Sequence, residues 1–150
     1  MNEQLAALYK AASMDSQNRS PSKRLHEMTW EEVFDLCNKL AEQIKPDIHK
    51  FTGIVAIANG GIIPASILAY VLKLDLKIIK KPPVHFHQEG QLLIDDVYDT
   101  GYTIKDYIAD ERWYWQGTAA LVLKPWCPYK PVYIGKETDD WIIFPWEKNE

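Results

Sequence analysis

The stretch of residues 91–103 constrains the fold of this 150-residue chain more than any other segment. It begins with an apolar run at residues 92–94, which is typical of a buried β-strand. Two adjacent carboxylates, Asp95 and Asp96, follow this run, and a Thr-Gly pair then precedes a helix that we predict over residues 102–111. A strand, a glycine-containing turn and a helix in this order are typical of an open α/β sheet.

The polar residues of this stretch predict a ligand site, because ligands of open α/β sheets bind where the strands end. Unpaired amides at a helix N-terminus attract an anion such as phosphate, and Gly101 lets the backbone approach that anion closely. The candidate phosphate-binding residues are Asp99, Thr100, Gly101, Tyr102 and Thr103. Carboxylates beside a phosphate need another partner, which we expect to be sugar hydroxyls, a Mg²⁺ ion, or both. Taken alone, the acids are better explained as helix caps and turn formers.

A second strand-loop-helix unit lies earlier in the chain. Residues 53–58 form a β-branched apolar run that is typical of a buried parallel strand, and residues 62–73 return to helical spacing. Asn59, Gly60 and Gly61 lie between them, where paired glycines either expose amides to a diphosphate or only make a tight turn. Further short strands are predicted at residues 76–79, 118–123, 132–134 and 141–144. The alternation favours a mostly parallel sheet flanked by helices.

A longer helix is predicted from residue 30 to residue 44. Thr29 and Glu32 have the spacing of a capping box, and Pro46 ends the helical pattern. Its apolar residues, aromatics included, recur at helical spacing and are expected to pack in the core. They are Trp30, Val33, Phe34, Cys37, Leu40, Ala41 and Ile44.

The string of an apolar strand, Asp-Asp, two spacers and Asp-Thr-Gly-x-Thr resembles the ribose 5-phosphate-binding signature of the type I phosphoribosyltransferases, which use phosphoribosyl pyrophosphate (PRPP). The resemblance extends from about residue 29 to residue 147 and is strongest to the bacterial xanthine-guanine enzymes of that family. It includes Lys124-Pro125 and the Asp-Asp-Trp-Ile and Pro-Trp-Glu strings near the C-terminus. It implies a Rossmann-like α/β fold. To this fold we expect this chain to add a short hood loop, which departs from the family, and an N-terminal helical extension, which the resemblance does not cover.

The resemblance also implies roles for the candidate residues. Asp99 would accept a proton when N9 of the base attacks, and Asp95 and Asp96 would hold the ribose diol and Mg²⁺. The residues that correspond to the pyrophosphate loop of the family are Ala58, Asn59, Gly60 and Gly61.

A base-binding group of Lys124, Trp141 and Ile142 is implied in the same way. The Lys124 ammonium would donate to the 6-oxo group, Trp141 would stack on the base, and the Ile142 carbonyl would accept from the 2-position. Because a lysine can only donate, it distinguishes a 6-oxopurine from a 6-aminopurine. The alternatives are a surface lysine and a core tryptophan.

The expected function is that of a Mg²⁺-dependent purine phosphoribosyltransferase, which converts PRPP and guanine, xanthine or hypoxanthine to a nucleoside 5'-monophosphate and pyrophosphate. Two departures from the family favour an alternative, a non-catalytic regulatory protein that binds PRPP or a nucleotide. Asn59 stands where the family usually carries a basic residue, and the hood segment between Ile79 and Gln91 is short and lacks the family's Ser-Tyr pair. The intact Asp99 favours the enzyme. A third class, a nucleotide hydrolase, has no positive support in the sequence.

We expect the chain to divide into an extension and a domain. Residues 1–28 would form an N-terminal helical extension and linker, and residues 29–150 a phosphoribosyltransferase-like domain. Residues 2–12 favour a helix, which would pack on the domain or on a second subunit. His85 and His87 fall on one face of an extended segment, where a solvated loop is a simpler explanation than a metal site.

Composition excludes several functional classes. A net charge of −4 argues against a general surface for nucleic acid or membranes. No apolar run has membrane-spanning length, and the first residues lack the basic-then-apolar order of a signal peptide. Cys37 and Cys127 lack metal-ligand spacing and are expected to be free thiols, as in a cytoplasmic protein. The family resemblance implies a homo-oligomer, either a dimer or a tetramer.

Overall fold

The computed structural model describes residues 24–83, 89–108 and 115–148, which form an α/β fold. The strands are β1 (Leu25–Glu27), β2 (Gly53–Ile57), β3 (Asp75–Ile79), β4 (Gln91–Tyr98), β5 (Gly117–Leu123), β6 (Tyr133–Glu137) and β7 (Trp141–Ile143). The helices are α1 (Trp30–Ile44), α2 (Ile62–Leu72) and α3 (Tyr102–Ile108), with 3₁₀ turns at Lys45–Lys50 and Pro145–Glu147. None of the helices in the described ranges combines the length and the apolar character that crossing a bilayer requires.

Five of the strands form one parallel sheet in the order β3-β2-β4-β5-β6. Gly53 of β2 lies opposite Asp75 of β3 on one side and opposite Gln91 of β4 on the other. The chain runs outward from β2 to β3 and then crosses back to place β4 on the other side of β2. The strand order therefore reverses between β2 and β4, which is where open α/β sheets bind their ligands. The predicted parallel sheet flanked by helices is confirmed.

Helices cover both faces of this sheet. Alternate residues of each strand point to opposite faces, so neighbouring residues of one strand pack against different helices. Leu92 and Ile94 of β4 lie in a buried cluster with residues of α1 and α2. Leu93, between them, lies in a second cluster with Ile104 and Tyr107 of α3. All five residues of β2 are buried, as expected for a strand covered on both faces. This packing fixes the strand ends that carry the candidate site.

Helix α1 has the predicted range, but its N-terminal cap and the burial of two of its aromatic residues differ from the prediction. Thr29 Oγ1 accepts from the Glu32 amide at 3.1 Å, which is half of a capping box. The Glu32 carboxylate does not complete the box with Thr29, because its Oε2 lies 2.5 Å from His26 Nε2. The prediction that every apolar residue of the helix packs in the core is wrong for Trp30 and Phe34, which are 45% and 49% exposed. Their rings stack on each other at the edge of the buried face, with centroids 6.2 Å apart.

Strand β4 is longer than the apolar run that predicts it. β2 ends at Ile57, but β4 continues because Asp95 and Tyr98 still pair with β5. The strand predicted at residues 92–94 is correct in position, and Asp95 and Asp96 lie within the strand rather than after it. Both carboxylates are thereby held on a rigid element.

A second sheet joins β1 to β7 in parallel, with Leu25 opposite Trp141. The Trp141 amide donates to the Arg24 carbonyl at 2.8 Å, and the Met28 amide donates to the Ile143 carbonyl at 2.9 Å. The apolar pattern predicts β7 but gives no sign of β1. The domain boundary after residue 28 stays a prediction.

The other strands agree with the sequence to within a few residues. The runs at 76–79, 118–123, 132–134 and 141–144 correspond to β3, β5, β6 and β7. Cys37 and Cys127 are free and buried. The predicted helix at residues 2–12, the pair His85 and His87, and residues 109–111 of the helix prediction lie outside the described residues.

Candidate active site

A cavity of about 580 Å³ opens where β2 and β4 end, at the position where the strand order reverses. Its volume is within the range of small-molecule sites. The predicted site residues that line it are Ala58, Asn59, Gly60, Asp95, Asp96, Asp99, Thr100, Gly101, Tyr102 and Thr103. The loops after two neighbouring strands therefore share one cavity.

Two further lining residues, Trp146 and Glu147, come from the C-terminal 3₁₀ turn. The sequence contains them in its Pro-Trp-Glu string, but neither composition nor periodicity assigns them a role. The Trp146 ring stacks on Phe144 with centroids 4.6 Å apart, which anchors the turn to the core. The last described residues of the chain thus close one side of the cavity.

The loop after β2 has glycines because it packs directly against β4. A Cβ atom on Gly60 would overlap the carboxylate of Asp96, and one on Gly61 would lie 2.6 Å from the Ile94 carbonyl oxygen. Gly61 is buried beneath the loop and supports it without lining the cavity. The peptide bond between Ala58 and Asn59 is cis. Close packing against β4 therefore explains why glycine occurs at both positions, in addition to the predicted binding of a ligand.

Asp95 and Asp96 form a buried acidic pair at the base of the cavity. Asp95 is 7% exposed, and its Oδ1 accepts from the Asp96 amide at 2.9 Å. Asp96 Oδ1 accepts from the Val97 amide at 2.8 Å. Burial, and then the charge of Asp96, raise the pKa of Asp95 to about 8, while burial also raises the pKa of Asp96. Burial and the charge of Asp96 likewise raise the pKa of Glu147.

This acidic pair fits a magnesium ion that takes its remaining ligands from a substrate. In the described ranges, no group of three or more His, Cys, Asp or Glu side chains is arranged to hold a metal on its own. Mg²⁺ is commonly bound by one or two carboxylates, with water and substrate phosphates completing the octahedron. A cation would also offset the cost of holding two adjacent carboxylates in a buried site.

The turn from β4 to α3 requires a glycine. Gly101 has a φ of +83°, in the left-handed region that favours glycine, and an added Cβ would lie 2.5 Å from Tyr129 Cδ2. Thr100 Oγ1 accepts from the Tyr102 amide at 3.3 Å, which leaves its own hydrogen to donate. The Gly101 carbonyl accepts from the Lys105 amide at 2.9 Å and so begins α3.

The predicted base-binding residues form a neighbouring group and are not among the lining residues of the cavity. Lys124 follows β5 and is 5% exposed, and its Nζ donates to the Asp140 carbonyl oxygen. Its amide donates to the Tyr98 carbonyl at 2.9 Å, which ties it to the end of β4. Trp141, next to Asp140, is 53% exposed, and Ile142 follows it in β7. The structure therefore brings Lys124 beside the segment that carries Trp141 and Ile142.

A residue without an assigned role, Trp126, links this group to the cavity. Its indole Nε1 donates to Asp99 Oδ1 at 2.7 Å. The Nζ of Lys124 lies 5.6 Å from the centroid of the same ring. The sequence shows Trp126 only as an aromatic residue after Lys124-Pro125, and no spacing rule indicates that its N–H reaches a residue 27 positions earlier.

Comparisons with known proteins agree with this architecture, although no protein-family model matches the chain. The chain is 30% identical to the xanthine-guanine phosphoribosyltransferase of Gluconobacter oxydans over 141 residues, which cover 80% of this chain and 83% of that protein. It is 29% identical to the enzyme of the same name from Desulfotalea psychrophila, with 83% and 88% of the two chains covered.

Among solved structures, the purine phosphoribosyltransferase of Pyrococcus horikoshii superposes with a TM-score of 0.70 at 28% identity, over 84% of this chain and 96% of that one. The xanthine-guanine-hypoxanthine phosphoribosyltransferase of Helicobacter pylori, at 20% identity and a TM-score of 0.66, shares the fold. Relatives at this identity across most of both chains, together with the shared fold, show that the chain belongs to the type I phosphoribosyltransferase family of enzymes.

Proposed function

We propose that the protein is a Mg²⁺-dependent purine phosphoribosyltransferase that converts PRPP and a 6-oxopurine (guanine, xanthine or hypoxanthine) to the nucleoside 5'-monophosphate and pyrophosphate. The observation that best supports this is the convergence of an acidic pair and two backbone loops on one cavity. The names of the relatives, which describe purine and xanthine-guanine enzymes, support the choice of base.

The two loops suit the two phosphate groups of PRPP. The turn at residues 99–103 would bind the 5'-phosphate through its amides and the hydroxyls of Thr100 and Thr103, with Gly101 allowing close approach. The loop of Ala58, Asn59 and Gly60 would bind the pyrophosphate, held in place by Gly61 beneath it. The loop lies directly against Asp96, so the pyrophosphate would reach the acidic pair.

Asp95 and Asp96 would hold Mg²⁺ and the ribose diol. Bound there, the ion would neutralise the departing pyrophosphate and orient the sugar. Their raised pKa values mean that the cavity without a cation keeps part of this charge neutralised by protons. Metal binding should therefore release protons.

The neighbouring group suits a purine. Lys124 is buried and presents a donor, and the exposed ring of Trp141 offers a face on which a flat base can stack. The ammonium of Lys124, which donates to the Asp140 carbonyl, would turn its other hydrogens toward a 6-oxo group. The carbonyl of Ile142 would accept from the substituent at the 2-position.

Asp99 would accept the proton in the chemical step. As N9 of the base attacks the anomeric carbon, the bond from that carbon to pyrophosphate breaks, and the proton that the base releases passes to Asp99. Oδ1 of Asp99 accepts from Trp126, and we assign the proton transfer to Oδ2, the oxygen that the indole does not contact. The ribose carries positive charge between bond breaking and bond making, and the negative charge of Asp99 stabilises it.

One observation favours the alternative of a regulatory protein that binds PRPP or a nucleotide without turnover. Asn59 supplies no positive charge to the loop that would bind pyrophosphate, where the family usually has a basic residue. The two functions differ in a single measurable property, the formation of product.

The test is product formation from PRPP and Mg²⁺ with guanine, xanthine, hypoxanthine and adenine in parallel, following both nucleotide and pyrophosphate. We expect nucleotide from at least one 6-oxopurine, none from adenine, and no product when a chelator removes the metal. If no base gives nucleotide while calorimetry detects binding of PRPP or a nucleotide, the enzyme proposal is wrong and the regulatory protein takes its place.

A further inference from the structure

Trp126 lies in the turn that follows β5 and reaches back to the end of β4. The turn is closed by a hydrogen bond from the Cys127 amide to the Lys124 carbonyl at 3.0 Å. From this turn the half-buried indole donates through Nε1 to Asp99 Oδ1 at 2.7 Å. The contact joins two loops of neighbouring strands at the cavity edge.

The same indole ring faces a second functional group. Nζ of Lys124 lies 5.6 Å from the ring centroid, within the distance at which a cation is attracted to the face of an indole. One ring therefore contacts the carboxylate expected to take a proton from the base and the ammonium expected to recognise its 6-oxo group.

We propose that Trp126 is a positioning residue that holds the Asp99 carboxylate and the Lys124 ammonium in the mutual arrangement that a 6-oxopurine requires. This inference rests on the proposed function, because the base defines that arrangement. It assigns a role to a residue outside the sets that bind phosphate, metal and base.

The chemistry of the indole suits this role. An indole N–H can only donate, so it orients the carboxylate without competing for the proton that Asp99 receives. Its hydrogen bond to Oδ1 restrains rotation of the carboxylate and leaves Oδ2 without a contact to the indole. A catalytic group misplaced by about 1 Å costs on the order of 100-fold in rate.

The ring restrains Lys124 in a different way. Lys124 Nζ is held by the Asp140 carbonyl on one side and by the face of Trp126 on another, so a long flexible side chain keeps one position. Removing the N–H and removing the ring should therefore have separable effects.

The test compares three changes at position 126 with a matched control. Trp126→Phe removes the N–H and keeps an aromatic face, and Trp126→Leu removes both. Benzothienylalanine at position 126 keeps the bicyclic shape and lacks only the donor, which guards against a variant that fails to fold. The control is Trp115→Phe, because the indole of Trp115 also donates at 2.8 Å, to the Tyr107 carbonyl outside the cavity lining.

With hypoxanthine as the base, Trp126→Phe and the benzothienylalanine variant should lower kcat by about 10-fold or more, with KM for PRPP changed by less than about 3-fold. Trp126→Leu should show the same loss and, in addition, a higher KM for hypoxanthine and a smaller preference for hypoxanthine over adenine. Trp115→Phe should leave all of these parameters near those of the unmodified protein.

A kcat within about twofold of the unmodified protein for the benzothienylalanine variant would overturn the proposal. So would an equal loss of kcat in Trp115→Phe, because the effect would then be a general loss of structure. If the unmodified protein forms no nucleotide, the proposed function fails by itself. The variants are then compared by calorimetry with guanosine 5'-monophosphate: weaker binding in Trp126→Leu but not in Trp115→Phe supports positioning of Lys124 by the ring, and equal binding overturns it.

Discussion

The two halves of the candidate site differ in whether backbone or side-chain atoms form them. The phosphate half, which comprises residues 58–61, 95–96 and 99–103, consists of two loops and a strand end in which the glycines lie close against neighbouring atoms. The base half, which comprises residues 124–126 and 140–142, consists of side chains that meet across loops. A site made of backbone is sensitive to a single added methyl group, whereas a site made of side chains is sensitive to chemical identity.

The halves also differ in charge. The phosphate half contains the buried acidic pair, and the base half contains the buried cation Lys124. In the proposed function two phosphate groups lie beside two carboxylates, an arrangement that requires a cation between them, so the phosphate half would depend on Mg²⁺. The base half contains its own cation, Lys124, which the Asp140 carbonyl and the Trp126 ring hold in place, and in the proposed function this half would not depend on metal. The comparison leads to four predictions.

The largest effect is expected where the halves meet, at Asp99. Asp99→Asn should lower kcat by about 10²–10⁴-fold, the range for loss of a general base, while PRPP affinity changes by less than about 3-fold. The amide oxygen can still accept from Trp126, so the local structure is kept. Steady-state kinetics and calorimetry with PRPP measure the two quantities. Asp75→Asn at the opposite end of the sheet is the control, and near-full turnover in Asp99→Asn would exclude Asp99 as the proton acceptor.

A smaller effect is expected in the phosphate half. Gly60→Ala places a methyl group on the Asp96 carboxylate and displaces the loop, so kcat/KM for PRPP should fall by about 100-fold. The melting temperature should also fall. In an Asp96→Ala background the overlap is relieved, and the same glycine change should cost little stability. Equal loss of stability in both backgrounds would mean that the close approach of the loop to β4 is not the cause.

In the base half, a substitution is expected to reduce the selectivity between purine bases rather than the binding of PRPP. Lys124→Met keeps the length and removes the charged donor, so kcat/KM for hypoxanthine should fall by about 10–100-fold, as for a lost hydrogen bond to a charged group. The dissociation constant for PRPP should not change, and the preference for hypoxanthine over adenine should weaken. Lys136→Met on β6 is the matched control. Retained discrimination in Lys124→Met would assign base selection to another residue.

The smallest effect concerns stability and pH. Because burial and Asp96 raise the pKa of Asp95 to about 8, the folded protein binds more protons than the unfolded chain from the usual range of an aspartate up to that value. Stability from this group is therefore greatest at low pH and is lost as the pH rises through about 8. With a chelator present, the melting temperature should be lower at pH 8.5 than at pH 5.5 by about 5 °C. Asp95→Asn should reduce the difference, and Asp75→Asn should not.

The phosphate half could be predicted because its residues lie in two short segments, each with a recognisable local pattern. An apolar run, two acids and a glycine turn each have a local meaning, and the sheet order brings the two loops together. The structure places these residues around one cavity, and their individual roles stay predictions. The strand carrying the acids was predicted too short, because its continuation depends on β5, which no local pattern near Asp95 indicates.

The features that the sequence does not predict depend on contacts between segments that are distant in the chain. The hydrogen bond from Trp126 to Asp99 has no periodic signal, and β1 is a three-residue strand whose Leu-His-Glu sequence lacks strand character. Trp30 and Phe34 follow the helical spacing of a core face, yet they lie at its edge, where stacking replaces burial. In each case tertiary position, not local preference, decides the outcome.

The pairing of β1 with β7 sets an order for synthesis. β1 leaves the ribosome long before its partner strand is translated, so the segment that carries Trp141 and Ile142 can be completed only when nearly the whole chain has been made. A nascent chain that has reached the end of β6 already contains every strand of the central sheet. In the growing polypeptide, the loops proposed to bind the sugar phosphate are therefore present before the segment proposed to bind the base.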